Sequence, residues 1–271
     1  MYPFRAEHQP RTEHKSVLLL GGTLEARQLA TRLARCPDID LTLSLAGRTR
    51  TPIDNGVPTR SGGFGGVAGL ADYLKAQCID ALIVATHPFA ATIAHNAHEA
   101  ARLARVPVVR VTRPEWPRHV DDRWIECDNA CEATELLGEM SRRVLLTFGR
   151  EQAAIFERAP QHHYLVRSID PINPPLTLPH VDNLLARGPF TLDDERRLLR
   201  DHRVDVLVTR HSGGAATWPK LQAARELGVQ VIMIRRPAMP DTPVVDSAAV
   251  DNPDRLAVWL QTWLAEQVPS T

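Results

Sequence analysis

The sequence predicts an α/β protein built from two Rossmann-like parallel-sheet halves with a cleft between them. Three observations carry this reading. Strand-sized apolar runs, Val17-Leu18-Leu19-Leu20 and Ala81-Leu82-Ile83-Val84-Ala85, alternate with helix-spaced segments, as in a parallel sheet covered on both faces. The first run breaks at Gly21-Gly22-Thr23 and resumes with helical spacing, which reads as strand, tight turn, helix. The same order returns at Val144-Leu145-Leu146-Thr147, Phe148-Gly149-Arg150 and the helical pattern after them, so the opening layout starts over. A length of 271 residues fits two domains at about 150 residues each. The expected division is an unstructured arm over 1–15, a nucleotide-binding half over 16–140 and a substrate half over 141–271.

Each element follows from local pattern. Residues 1–15 are polar and charged without periodicity. The first helix ends near Cys36-Pro37, and Leu41-Thr42-Leu43-Ser44-Leu45 alternates as a second strand that stops at Ala46-Gly47-Arg48-Thr49-Arg50. Asp54-Asn55-Gly56 and Ser61-Gly62-Gly63-Phe64-Gly65-Gly66 read as loops, and 70–77 as a short helix. The apolar run over 80–86 ends at His87-Pro88-Phe89. Next come a helix over 90–104, a strand over 106–111 and a loop at Arg113-Pro114-Glu115-Trp116-Pro117. In the second half the spacing predicts helices over 130–140 and 151–158, strands over 144–147 and 164–167, and an irregular proline-rich connection over 171–179. Thr191 caps a helix running to about 201. A strand over 205–209, the turn Arg210-His211-Ser212-Gly213-Gly214, a helix over 217–227 and a strand over 229–234 complete the unit. The last helix, 253–266, spaces Leu256, Trp259, Leu260, Trp263 and Leu264 by three and four, so one face is buried and is expected to brace the first half.

Composition narrows the function. Lys plus Arg equals Asp plus Glu at 32 each, so no global field favours nucleic acid or an anionic membrane. Apolar segments fall short of the roughly 20 residues of a bilayer span, and the start lacks the apolar core of a signal peptide. The expectation is a cytoplasmic protein with no nucleic-acid or membrane partner, its oligomeric state open between monomer and homodimer. Cys36, Cys78, Cys127 and Cys131 match no zinc spacing, although Cys127 and Cys131 lie one helical turn apart. They read as reduced thiols, and no metal site is expected.

A glycine turn that opens a helix presents backbone N–H groups and the positive helix end to a phosphate. Gly21-Gly22-Thr23 provides this, with Glu25 in the following turn and Ala26 where the dinucleotide fingerprint has its third glycine. After the second strand, dinucleotide folds use an acid for NAD and a base for NADP, and here the base is Arg48. A solvated basic loop is the alternative for Arg48. His87 ends a buried strand at the edge where such sheets hold ligands, with Pro88 stiffening the turn beyond it. It either lines a nicotinamide or substrate pocket or caps the next helix, and His211 has the equivalent place in the second half. Arg150, Arg167, Arg210, Lys220, Arg235 and Arg236 gather near strand ends and turns of the second half. As a group they suit a substrate with many carboxylates; singly, each fits a surface ion pair. No Ser-His-Asp order, P-loop or paired-carboxylate pattern stands out, so hydrolysis and phosphoryl transfer lose ground.

Several motifs in fixed order add a family resemblance. Gly21-Gly22-Thr23 with Glu25-Ala26-Arg27, Ala46-Gly47-Arg48, Gly63-Phe64-Gly65-Gly66, Ala85-Thr86-His87-Pro88-Phe89-Ala90, Ser212-Gly213-Gly214 through Lys220-Leu221, and Arg236-Pro237 together resemble the precorrin-6A reductase family of cobalamin biosynthesis. The resemblance implies NADPH-dependent reduction of one double bond of the precorrin-6A macrocycle, giving precorrin-6B, between two Rossmann-like halves. It assigns NADPH to Gly21, Gly22, Thr23, Glu25, Arg48, Gly63, Phe64, His87 and Pro88. It assigns the macrocycle to Arg150, Arg167, Arg210, Ser212, Gly213, Gly214, Lys220 and Arg236. Hydride would come from the nicotinamide and the proton from a bound water or from His87, the candidate catalytic residue. The rival reading is a tetrapyrrole lyase or isomerase like uroporphyrinogen-III synthase, which uses no nicotinamide. A non-catalytic nucleotide-binding protein is the third.

Overall fold

The computed structural model describes residues 14–47, 56–246, 258, 259, 262 and 263. The chain divides into two compact units, residues 1–112 with 239–271, and residues 113–238.

The first unit opens with β1 (Lys15–Leu20), whose Val17, Leu18, Leu19 and Leu20 are at most 2% exposed. Burial of consecutive residues means that both faces are covered, the condition for a central parallel strand. Helix α1 (Leu24–Leu33) buries Ala26, Leu29, Ala30 and Leu33, one stripe at spacings of three and four. After it come β2 (Ile39–Leu45), β3 (Thr59–Ser61), α2 (Gly66–Ala76), β4 (Ala81–Val84), α3 (Ala91–Ala104) and β5 (Val108–Thr112). The strands pair in parallel in the order β3-β2-β1-β4-β5. Alternation along β1 splits the core in two: Val17 and Leu19 pack with α1, while Leu18 and Leu20 pack with Leu70 and Leu74 of α2 and Ala97 and Ala101 of α3.

The second unit contains β6 (Trp124–Cys127), α4 (Ala130–Leu136), β7 (Arg143–Leu146), α5 (Arg150–Ala153), β8 (His163–Ser168), β9 (Val181–Leu185), α6 (Leu192–Asp201), β10 (Val206–Arg210), α7 (Pro219–Leu227) and β11 (Gln230–Ile234). Its parallel order is β9-β8-β7-β10-β11-β6. The first five strands repeat the arrangement of the first unit, and Leu145, Leu207, Val231 and Met233 pack against Leu199 of α6 and Leu221 and Ala224 of α7. A last strand, β12 (Val244–Asp246), pairs with β5 of the first sheet.

Two Rossmann-like parallel halves are therefore what the chain forms, but its division differs from the one expected at 140/141. Strand β6 hydrogen-bonds to β11, so 113–140 belongs with the second sheet, and β12 returns 239–271 to the first. The expected arm is one residue too long, because Lys15 already lies in β1, and the next residue, Ser16, donates its N–H to Asp80 Oδ2 at 2.8 Å. Residues 1–13 lie outside the described residues, as does most of the expected helix 253–266. Of that helix, Val258, Trp259, Thr262 and Trp263 are helical. Trp263 is 8% exposed and belongs to the core cluster of Val17, Leu19 and Leu29. Trp263→Ala should destabilise the first unit by about 3 kcal/mol, read as a lower urea midpoint at unchanged slope.

Candidate functional site

In the first sheet β1 and β4 are neighbours, yet α1 and α3 leave them for opposite faces. This is the switch point at which open α/β sheets hold ligands, outside the carboxyl ends of the strands. Gly21-Gly22-Thr23 follows β1, and Ala85-Thr86-His87-Pro88 follows β4. Thr23 joins the two turns: its hydroxyl accepts from Ala26 N–H at 3.1 Å as the N-cap of α1 and donates to the Ala85 carbonyl at 2.9 Å. Gly22 has φ +123°, and a Cβ built there would meet no atom within 4 Å. The turn therefore faces open space beside a helix N-terminus, which suits the phosphates of a dinucleotide. Glu25 stands in the first turn of α1, where its carboxylate complements the helix dipole and would repel a phosphate placed against it.

The loop holding Gly63 and Phe64 is organised by a residue that sequence reasoning missed. Arg60 donates to Ser44 Oγ at 2.9 Å, to the Gly62 carbonyl at 3.2 Å and to the Gly63 carbonyl at 3.1 Å. Its guanidinium lies 3.8 Å over the Phe64 ring, which meets Tyr73 edge-on at 5.2 Å. The available signal was an arginine directly before Ser-Gly-Gly-Phe. Arg48 lies outside the described residues. His87 is half-buried, and its Nδ1 accepts from Phe89 N–H at 3.2 Å, which places the proton of the neutral ring on Nε2. Pro88 continues that turn, and the His87 carbonyl accepts from Ala90 N–H at 2.8 Å.

The second sheet repeats the switch point between β7 and β10. A threonine again ties the strands, Thr147 donating its hydroxyl to Thr209 Oγ1 at 2.9 Å. Of the cations expected on substrate, several are engaged within the protein. Arg236 gives its guanidinium to the carbonyls of His211 at 2.9 Å, Arg113 at 2.6 Å and Pro114 at 3.1 Å, so it clamps the 113–116 segment onto the Ser212-Gly213-Gly214 turn. That clamp leaves no room for a side chain at Gly213, where φ is +66° and a Cβ would fall 2.3 Å from the Pro114 carbonyl. Gly214 accepts from Trp116 Nε1 at 2.9 Å, and Ser212 is buried. Arg150 donates to the Pro174 carbonyl at 2.7 Å and so anchors the proline-rich connection. Arg235 pairs with Asp128 at 2.8 Å on the surface. Arg167 is bound at 2.7 Å to Glu195, the two side chains 6% and 1% exposed, and its guanidinium lies over the Phe190 ring at 4.1 Å. Glu195 was the overlooked partner. Its signal is an acid on the apolar stripe of Leu192, Glu195 and Leu199, at spacings of three and four. His211 is 6% exposed, stacked on Trp116 at 5.5 Å and edge-on to Trp124 at 6.1 Å. Burial lowers its pKa, and the ring packs against the two indoles.

Lys220 differs from these. It lies in the first turn of α7 and is 4% exposed, with its ammonium 5.3 Å from the centre of the Trp116 ring. Among the described residues no acceptor takes a hydrogen bond from it. Burial, then Arg167, push its pKa from 10.5 to about 7; Glu195 opposes the fall and Arg210, at the end of β10, adds to it. The unfolded chain holds this proton up to 10.5 and the folded chain only to about 7. Lys220 thus lowers stability fully below pH 7, and the cost fades as pH rises toward 10.5. Lys220→Met should raise the thermal midpoint near neutral pH, the gain shrinking toward pH 10 in unfolding followed by circular dichroism.

Comparison with known proteins agrees with this arrangement. The family model described as precorrin-6x reductase CbiJ/CobK matches residues 16–261. A precorrin-6A reductase of Sinorhizobium sp is 48% identical over 248 residues, covering 92% of this chain and 95% of that one. A cobalt-precorrin-6A reductase of Priestia megaterium is 28% identical over 239 residues, covering 82% and 90%. A solved structure titled CobK precorrin-6A reductase superposes with a TM-score of 0.84 at 40% identity, covering 93% of this chain and 97% of that chain. With the doubled switch point and its glycine turn already in place, these matches leave one assignment: the chain belongs to the precorrin-6x reductase family.

Proposed function

We propose that this protein reduces one double bond of the precorrin-6A macrocycle to give precorrin-6B in cobalamin biosynthesis, with NADPH as the reductant. The observation that carries the reading is the first switch point, an open glycine turn tied by Thr23 to the end of β4, in a chain that matches a reductase family over nearly its whole length. The metal-free macrocycle is the preferred form, because the chain is 48% identical to a precorrin-6A reductase and 28% identical to a cobalt-precorrin-6A reductase.

The residues fit the cofactor by their chemistry. The N-terminus of α1 with Gly21, Gly22 and Thr23 would hold the pyrophosphate, and Arg48 the 2′-phosphate that separates NADPH from NADH. Gly63 and Phe64, fixed by Arg60, border the adenosine side, and His87 and Pro88 the nicotinamide side. Bound NADPH supplies hydride from its ring. The protein's part is to orient the reacting carbons and exclude water. In the second unit, Arg210, Ser212, Gly213 and Gly214 form the edge offered to the acetate and propionate arms of the macrocycle. Arg150 and Arg167 are held within the same unit by the Pro174 carbonyl and by Glu195.

The test is an anaerobic assay with metal-free precorrin-6A and either NADPH or NADH. NADPH absorbance at 340 nm should fall in step with a product two mass units heavier, with NADH at least about tenfold less effective in kcat/KM. A macrocycle of unchanged mass, or no consumption of either nucleotide, refutes the reading.

A further inference from the structure

Reduction of a carbon–carbon double bond needs a proton as well as a hydride, and this inference rests on the reductase reading. We infer that Lys220 is the general acid of the reaction, its ammonium giving a proton to the macrocycle carbon next to the one that receives hydride.

The position of Lys220 is unfavourable for a permanent cation on four counts. It is 4% exposed, so little water solvates it. It occupies the first turn of the nine-residue α7, where the helix dipole opposes positive charge. Arg167 on β8 and Arg210 on β10 add like charge. Among the described residues the carboxylate that attracts it, Glu195 on α6, is already bound to Arg167 at 2.7 Å. Its second oxygen is sealed from solvent without a hydrogen-bond partner. What favours the charge is the attraction of Glu195 and the face of Trp116 at 5.3 Å, a ring that His211 shares from its stacked position.

A lysine kept only to bind a carboxylate would do better in the open or beside a paired acid. An ammonium in this setting releases its proton readily, and burial with the neighbouring guanidinium of Arg167 brings its pKa to about 7. Its place also suits the task. The start of α7 lies at the carboxyl edge of the second sheet, the edge assigned to the macrocycle. Bound NADPH would supply the hydride, with its electron pair, to one carbon of the double bond and leave as NADP⁺. The π electrons of the reduced bond take the proton from Lys220 Nζ, and the neutral amine regains a proton from solvent.

The experiment is the pH dependence of kcat and KM for wild type, Lys220→Arg and Lys220→Met, with metal-free precorrin-6A and saturating NADPH. Wild-type kcat/KM should fall above about pH 7, where the free enzyme's Lys220 loses the proton it must donate. Both variants should lose about 100-fold in kcat, with a residual rate supplied by water that no longer shows the alkaline limb. Lys220→Arg keeps the charge and should keep KM within about threefold, because guanidinium holds its proton. Lys220→Arg with near wild-type kcat and an unchanged limb would make Lys220 a binding cation and overturn the inference. A wild-type kcat/KM that stays flat to pH 9 overturns it without any variant. Wild type that does not consume NADPH defeats the reductase reading itself, an outcome distinct from both.

Discussion

A threonine hydroxyl stitches the two central strands together at the carboxyl edge of each sheet. In the first unit Thr23 binds the Ala85 carbonyl while capping its own helix; in the second, Thr147 binds Thr209. The remaining site geometry depends on this join. Parallel pairing sends every strand out of the sheet at the same edge, and winding in opposite directions about the central pair opens a crevice there. Backbone groups at that point lack strand partners and need others. The threonine supplies one and fixes the spacing of the two turns, so that the open face at Gly22 and the half-buried imidazole of His87 are held as parts of one edge.

The same framework carries opposite chemistry in the two units. The first edge is glycine and helix end, an arrangement that receives phosphate through backbone N–H groups. The second is lined by cations, but most of them build the edge and do not face outward. Arg236 clamps backbone, Arg150 anchors the proline-rich segment, and Arg167 is neutralised by Glu195. A buried ion pair adds little net stability, yet loss of either partner would strand a charge. Such pairs make the surroundings rigid and leave Lys220 as the cation whose charge the structure least supports.

The centre of each sheet was legible in the sequence and the rims were not. Leu18, Leu19, Leu82 and Ile83 announce themselves because strands buried on both faces must be apolar throughout, and α1 is readable from Ala26, Leu29, Ala30 and Leu33. Strands β3, β6, β9 and β12 were missed. Thr59–Ser61 is short and polar, and Val181–Leu185 carries exposed Asp182 and Asn183, as edge strands do. Missing β6 and β12 misplaced the unit boundary, since long-range pairing alone assigns them. At the site, Gly21, Gly22, Thr23 and the His87 turn were correctly brought to one edge. Arg167 and Arg236 were expected on substrate, and their partners within the protein, Glu195 and the carbonyls of His211, Arg113 and Pro114, are not legible in a sequence. Glu195, one position on an otherwise ordinary charged helix, completes a buried pair that only the tertiary structure reveals.

We propose that the two units divide the labour, the cofactor binding the first and the macrocycle the second. Hydrogen–deuterium exchange with each ligand added separately tests it most directly. NADPH should protect amides over 17–28 and 81–92, and metal-free precorrin-6A those over 163–172 and 206–222. Protection of the second set by NADPH, with none in the first, would contradict the account.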